Sequence, residues 1–523
     1  MNARIGRWKP ALAVAGTCLL LAACGSQVDP KTAASANAAI NGAGGNGNGG
    51  AGGSEAPGQF VGGSGNAGNG NVGNGNTGNG NTGNGNTGNG GAGNGGGGNG
   101  GGGSGGGGNG GGGSGGGGNG GGGSGGGNGG ATSHVRAASC AGFKNGPGIS
   151  NSEITIANSA DLSGPVEGLF KSVQAATTAY AKYFNSTSSI CGRKLKVVGL
   201  DSQTSEGGDQ QAAQSACSNA FAMVGSMGAF DAGGASTVSK CGIPDVRATA
   251  TETSRQRTNV TFEAYSLATN LIPNSPFNWF KTHFGDAYQH AAFVYLDAGA
   301  SSLNAASFIA AEEKMGFKFV YKQPISVKGG LIPYDSYAQN MASKGVKYVQ
   351  YIGSASPYAS QMKAAIDNQS KNNSKFKPIW VMDPTGYSTE YTGAGGMTNG
   401  TYVFDAGPLF EEANKNPQLA AYLTWLQRTS GGAPTFYGLY AWSAAALFTE
   451  TALQLGGKLS RSTMLAALSK VHSWTNHNMT PPNDPAGKRT PNCLSVIEYT
   501  GGKWVRKTPY PYTCGSLVDS GVS

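Results

Sequence analysis

Imidazole can serve as a base, a nucleophile's partner or a metal ligand near neutral pH, so the five histidines are the first candidates for chemistry. His134, His283, His290, His472 and His477 are scattered, and none stands at a strand end beside a nucleophile. His472 and His477 are five apart beyond a helix, a poor spacing for two metal ligands. The acid pairs Glu312-Glu313 and Glu411-Glu412 are adjacent in sequence, and helix neighbours do not share a face, so they read as solvated charges. A glycosidase or hydrolase needs convergent acids, or a nucleophile with its base. Gly102-Gly103-Ser104-Gly105-Gly106 fits the nucleophile-elbow pattern and GxGxxG matches recur beside it, but neither follows a strand or opens a helix. The chain reads as no enzyme, with no cofactor and no metal.

Binding chemistry is better represented. A β-branched run at 154–157 leads into Asp161-Leu162-Ser163-Gly164-Pro165, and an apolar-periodic segment at 169–184 follows. This is strand, loop, helix, and in open α/β sheets ligands sit beyond the carboxyl ends of the strands. The pattern continues with strand 194–198, helix 210–221, strand 222–224, a short helix to Cys241 and strand 243–246. After a crossing at 261–268, the alternation repeats: strand 291–296, helix 303–315, strand 317–325, helix 334–344, strand 348–352, helix 357–368, strand 378–382. Near 401–404 the chain is expected to return, through helices at 417–428, 437–454 and 460–470. A hairpin at 494–499 and 503–505 closes the second lobe. The fold class is α/β: two lobes, each with a parallel sheet flanked by helices.

The compartment is written before the lobes. Arg4, Arg7 and Lys9 precede an apolar run at 11–21, too short to span a bilayer as a mature helix but suited to a signal peptide over 1–23. From about 41 to 130 the chain is nearly all Gly with Asn, Ser and Thr, and cannot bury a core. The whole of 24–138 is read as a disordered tether, and a Gly-rich coil of about 90 residues has an r.m.s. span of roughly 50 Å. Most of the 93 glycines lie there and dilute the charged fraction to 12%. The remainder, 139–523, exceeds the size at which one core stops growing. Its two lobes are placed at about 151–264 with 405–490, and about 268–400 with 491–520. The net charge of +9 comes without a dense basic block interleaved with aromatics, which excludes nucleic acid as a partner. Of eight cysteines, Cys18 belongs to the leader and Cys24 follows it; Cys140, Cys191, Cys217, Cys241, Cys493 and Cys514 remain. An even number in an exported chain favours disulfides, and although six allow fifteen pairings, joining sequence neighbours is the economical choice. Cys217 with Cys241 would close a loop of about 25 residues, worth roughly 3 kcal/mol.

Two resemblances follow from these residues. Leu21-Ala22-Ala23-Cys24 is similar to the lipobox of bacterial lipoproteins, which implies that Cys24 carries the lipid anchor. Leu162-Ser163-Gly164-Pro165, Gly192-Arg193-Lys194-Leu195 followed by Asp201, Val224-Gly225, Ile243-Pro244, and Tyr440, Ala441, Ala446, Leu447, Glu450 and Ala452 in a late helix resemble, in order and spacing, the branched-chain amino-acid type of substrate-binding protein of ABC importers. The resemblance runs from about 153 to 504. It implies two Rossmann-like lobes joined by three crossings, with the ligand clamped between them. In that family the first lobe holds a ligand carboxylate with small hydroxyl residues and backbone N–H groups, which map here onto Ser163, Ser226, the 228–231 loop with Ala229 and Phe230, and Thr249 and Thr251. Ala229 stands where a Ser is expected. The second lobe supplies aromatics and, for amino acids, an acid for the ammonium, implying Asp297, Ser301, Tyr358, Asp383 and Tyr387. Asp before Pro, and Asp after a strand, are also common turn starters.

The expectation is a monomeric receptor on the outer face of the cell membrane that hands a small polar solute, an amino acid or a related amide or carboxylate, to an ABC permease. A sensing lipoprotein and a wall-spanning structural one are the alternatives, and fold similarity does not choose among ligands.

Overall fold

The computed structural model describes residues 138–164, 170–266, 270–327, 330–393 and 398–522. The leader, Cys24, the tether as far as residue 137, Pro165, Leu169 and the last two residues of the expected 261–268 crossing lie outside the described residues.

The first sheet contains β1 (Glu153–Ala160), β2 (Lys194–Asp201), β3 (Ala222–Val224), β4 (Asp245–Arg247) and β5 (Thr261–Glu263) in the order β2-β1-β3-β4-β5, all parallel. Its connections carry α1 (Lys171–Thr187), α2 (Glu206–Asn219), α3 (Ala235–Cys241) and the single turn α4 (Thr253–Gln256). Every residue of β3, β4 and β5 is buried, as befits a parallel sheet covered on both faces. Two expectations change here. The stretch starting at Thr261, read as a crossing, first supplies β5, and the crossing follows it. The strand expected from Ile243 starts at Asp245, because Pro244 has no N–H for the ladder.

The second sheet collects β7 (Ala291–Asp297), β8 (Phe319–Ser326), β9 (Tyr348–Ile352), β10 (Ile379–Met382) and β11 (Thr401–Asp405), entered through β6 (Leu271–Pro273) and α5 (Ser275–His283). Between these strands lie α6 (Ala300–Lys314), α7 (Tyr334–Ser343), α8 (Ser360–Asn372) and the short α9 (Thr389–Thr392). The helix expected from Pro357 is a π-helical turn over Ala355–Ala359 that runs into α8. The 401–404 stretch, expected as the return, is the last parallel strand of this sheet, and the chain returns after Asp405.

The return brings α10 (Pro417–Ser430), α11 (Phe436–Leu455) and α12 (Arg461–Leu468). Helix α11 is apolar nearly all round and correspondingly buried. Trp442 packs edge-on to Tyr180 of α1 at 4.9 Å, and Tyr180 shares a 2.6 Å hydrogen bond with Thr449. Thr435 caps its start and Gly456, at φ 52°, ends it. The expected hairpin is β12 (Cys493–Thr500) with β13 (Lys503–Arg506), antiparallel on the edge of the second sheet, whose order is β13-β12-β11-β10-β9-β7-β8. β14 (Thr513–Cys514) pairs with β12, and β15 (Leu517–Asp519) with β6.

Disulfides join Cys140 to Cys191, Cys217 to Cys241 and Cys493 to Cys514. The start of the described chain lies along α11, with Ala138 N–H donating to Leu453 O at 2.9 Å and Gly457 N–H to Ser139 O at 2.8 Å. Where the first crossing leaves β5, the Asn483 amide donates to Glu263 O and Ala264 O at 2.9 and 3.0 Å and accepts from Ser266 N–H at 3.1 Å. One side chain of the third crossing thus clasps the first.

Candidate functional site

Each sheet reverses its strand order once, between β1 and β3 in the first and between β7 and β9 in the second. Loops diverge at such points and leave a crevice. A cavity of about 130 Å³ lies there, walled by Phe170, Met227, Ala229, Thr249 and Thr251 from the first lobe and by Ser301, Asn304, Phe308, Ile352 and Asp383 from the second. The lobes touch across it: Ala300 N–H, at the start of α6, donates to Ala229 O at 3.0 Å. Gly299 makes this possible. Its φ is +51°, and a Cβ there would lie 2.6 Å from the Ala229 carbonyl oxygen and 3.2 Å from the Phe230 ring. Ala229 and Phe230, where a Ser was expected, are therefore the surface on which the second lobe rests.

On the first wall, the donors expected to meet a ligand carboxylate are engaged by the protein. Ala229 N–H donates to Asp161 Oδ2 at 2.8 Å, and Ser202 holds the other oxygen of that buried acid at 2.5 Å. Thr251 N–H and Glu252 N–H donate to the two oxygens of Asp231 at 2.9 and 3.0 Å. Ala250 N–H donates to Glu263 at 2.6 Å, and Thr249 Oγ1 also reaches Glu263, at 3.3 Å. Thr251 Oγ1 donates to Gly228 O at 2.5 Å. Behind this wall lies a buried ion network. Arg247 meets Asp231 at 3.2 Å and Asp245 at 3.6 Å, while Arg255 meets Asp245 at 2.8 Å and Asp209 at 3.0 Å. Burial pushes Asp231 up to about 6 against the pull of both arginines. Burial would raise Asp245 too, but Arg255 and Arg247 outweigh it and hold that carboxyl low.

The second wall differs. Asp383, after β10, caps the short 3-10 turn Pro384–Gly386: Oδ1 accepts from Thr385 N–H at 3.1 Å and is in short contact with Thr385 Oγ1, while Gly353 N–H reaches Oδ2 at 3.3 Å. Thr385 Oγ1 also donates to Gly353 O at 2.7 Å. A hydroxyl has one proton to give, so a protonated Asp383 completes the chain by donating to Thr385. Burial pushes this carboxyl up to about 7, consistent with that form. Asp405, at the end of β11, is likewise raised by burial to about 7, and accepts from Tyr440 at 3.1 Å. The side chains of Ser301 and Asn304, one helical turn apart on α6, have no hydrogen-bond partner among the described residues.

Of the residues singled out from sequence, Ala229, Thr249, Thr251, Ser301 and Asp383 line the cavity, while Ser163, Ser226, Phe230, Asp297, Tyr358 and Tyr387 do not. Exposed Ser163 donates to Asp201 at 2.6 Å, and buried Ser226 accepts from Ser159 N–H at 3.0 Å. Asp297 is exposed and accepts from Ser302 at 2.7 Å, and Tyr358 is half-buried against the core of its lobe. Tyr387 stacks on Phe410 at 4.6 Å and donates to Glu411 at 2.5 Å. Sequence reasoning missed Phe170, Phe277, Phe308, Phe404 and Tyr440, which supply much of the apolar wall. They sit in or beside helices and strands, where an aromatic carries no mark that separates wall from core.

The model of a family described as periplasmic binding protein matches residues 153–503. The chain belongs to this family. It is a class of extracytoplasmic binding proteins, and no helix among the described residues is long and apolar enough to cross a membrane. Similar solved structures include the branched-chain amino-acid transporter substrate-binding protein LivJ of Streptococcus pneumoniae in complex with isoleucine, 14% identical, TM-score 0.55, covering 68% of this chain and 100% of that one. A fatty-acid ABC transporter substrate-binding protein of Thermomonospora curvata is 14% identical, TM-score 0.57, covering 73% and 96%. An ABC-transporter solute-binding protein of R. palustris in complex with 4-hydroxybenzoate is 16% identical, TM-score 0.56, covering 70% and 97%. These likenesses establish the two-lobed type I fold. No curated protein matches the sequence.

Proposed function

We propose that this chain is an extracytoplasmic receptor, held to the outer face of the cell membrane by lipid on Cys24, that encloses a small solute between its lobes and delivers it to the permease of an ABC importer. The observation that carries this reading is the cavity walled from both lobes at the two switch points. The anchor rests on the leader and on Leu21-Ala22-Ala23-Cys24. Closure is a population shift: a solute stabilises the closed form by the contacts it makes to both lobes at once.

A thermal-shift screen against amino acids, short amides, urea, aromatic acids, alcohols and sugars tests capture, since a solute at 100 times its Kd adds about 2.7 kcal/mol. It begins with the class that the family resemblance implies, amino acids and related amides or carboxylates. Gly299→Ala tests closure. The added methyl meets the Ala229 carbonyl and sits at a backbone conformation suited to glycine, so solute affinity should fall about tenfold or more. A Gly299→Ala protein that binds as tightly as the parent would remove the clamp.

A further inference from the structure

Resting on the reading of the cleft as a solute site, the inventory of its walls narrows the solute. Among the described residues no Lys, Arg or His lines the cavity, and the one carboxyl that does, Asp383, has both oxygens in contact with the protein. Arg247 and Arg255, behind the first wall, are fully buried and ion-paired with Asp231, Asp245 and Asp209. Ala229, Ala250 and Thr251, whose N–H groups would cradle a carboxylate, give them to Asp161, Glu263 and Asp231. An amino-acid zwitterion enclosed here would leave its carboxylate without an opposite partner, which is costly away from water, and its ammonium would have to compete with the turn that already holds Asp383. The start of α6 is no substitute for an anion site: Ala300 N–H is used to close the lobes, and Asp297 already sits by that helix end, bonded to Ser302.

What remains is largely apolar volume, with Tyr265 and Tyr437 on the side of the first lobe and a polar corner on α6. Phe277, Phe308, Phe404 and Ile352 surround a space of about 130 Å³. A dry apolar cavity of roughly 150 Å³ is known to take a benzene ring. Ser301 and Asn304 share a face of α6 on the cavity wall, and their hydroxyl and amide have no partner among the described residues.

We propose that this cleft selects an uncharged solute with a compact apolar body, one ring or a short branched chain in size, whose single hydroxyl or carbonyl is held by Asn304 and Ser301.

Calorimetric titration of the full mature protein with matched probes tests this: benzyl alcohol and benzamide as neutral ligands, benzoate and L-phenylalanine as their charged counterparts. The neutral probes should bind about a hundredfold or more tightly than the charged ones, because the charged forms bury an unpaired ion. Asn304→Ala, at a half-buried helix position where alanine is well tolerated, should weaken benzyl alcohol about fivefold or more without lowering the melting temperature. Benzoate or L-phenylalanine binding as well as benzyl alcohol would overturn the uncharged class while leaving solute capture intact. Binding unchanged by Asn304→Ala would overturn the polar corner. If none of the four probes binds but the wider screen yields a charged solute, the proposal falls and the receptor reading stands. If nothing in the wider screen binds, both fall.

Discussion

The two walls of the cleft are built alike, each from the ends of parallel strands and the loops and helices that follow, yet they use their polar groups in opposite ways. On the first wall, the Thr249 hydroxyl and the Thr251 and Ala229 N–H groups are tied to buried acids, the Thr251 hydroxyl is tied to the Gly228 carbonyl, and two arginines behind them pair with three aspartates. On the second, Ser301 and Asn304 have no side-chain partner among the described residues and Asp383 is bound up with its own turn. A hydroxyl beyond a strand end is therefore not evidence of a ligand until its partner is known. The first wall spends its strand-end polar groups on internal ions and hydrogen bonds and offers a solute mainly aromatic rings, while the second adds a hydroxyl and an amide on α6.

The comparison breaks most visibly at Arg255. Arg255→Ala deprives Asp209 and Asp245 of their shared partner inside the first lobe, and removing one member of a buried ion cluster typically costs about 3–5 kcal/mol. Urea unfolding should register that loss; one below about 1 kcal/mol would mean the platform does not depend on its ions. A pH series probes the second wall. Asp383 keeps its proton in the folded chain up to about 7, whereas an unfolded aspartate releases it near 3.8. Native protein therefore binds more protons between those values, so this group's contribution to stability falls as pH rises from about 4 to 7 and is level above. Asp383→Asn abolishes that fall, and its stability relative to the parent should improve by roughly 1–3 kcal/mol between pH 5 and pH 8. Equal behaviour at the two pH values would place the carboxyl in contact with water. The smallest effect sharpens the contrast: Thr251→Val should cost about 1 kcal/mol through its lost bond to Gly228, while Asn304→Ala should change stability by less than about 0.5 kcal/mol. Equal losses at the two sites would erase the distinction between the walls.

The alternation of strands and helices is legible because buried parallel strands are short β-branched or aromatic runs, as in Tyr348–Ile352 and Ala291–Asp297. β5 escapes that reading: it is three residues long and ends in Glu263, an acid that is buried because Ala250, Thr249 and Gln256 satisfy it. Positions on the cleft are partly legible for the same topological reason, since Asp383, Ser301 and Ala229 each follow a strand. Whether such a group is free is not legible. Ala229 is engaged by Asp161, 68 residues away, and nothing local to either residue announces the pair. The aromatic wall hides for the converse reason, because Phe277 and Phe404 have the neighbours of ordinary core residues.

The Cys140–Cys191 bridge has a mechanical consequence. Tension applied to the chain ahead of Ala138 enters the first lobe beside α11, reaches Cys140, and passes through sulfur directly to Cys191 at the approach to β2. The loop it bypasses, between two cysteines 51 apart in sequence, holds β1 and α1 and is off that direct path. A pull on the chain ahead of Ala138 thus meets a covalent cross-link of the first lobe before the chain has reached any residue of the second.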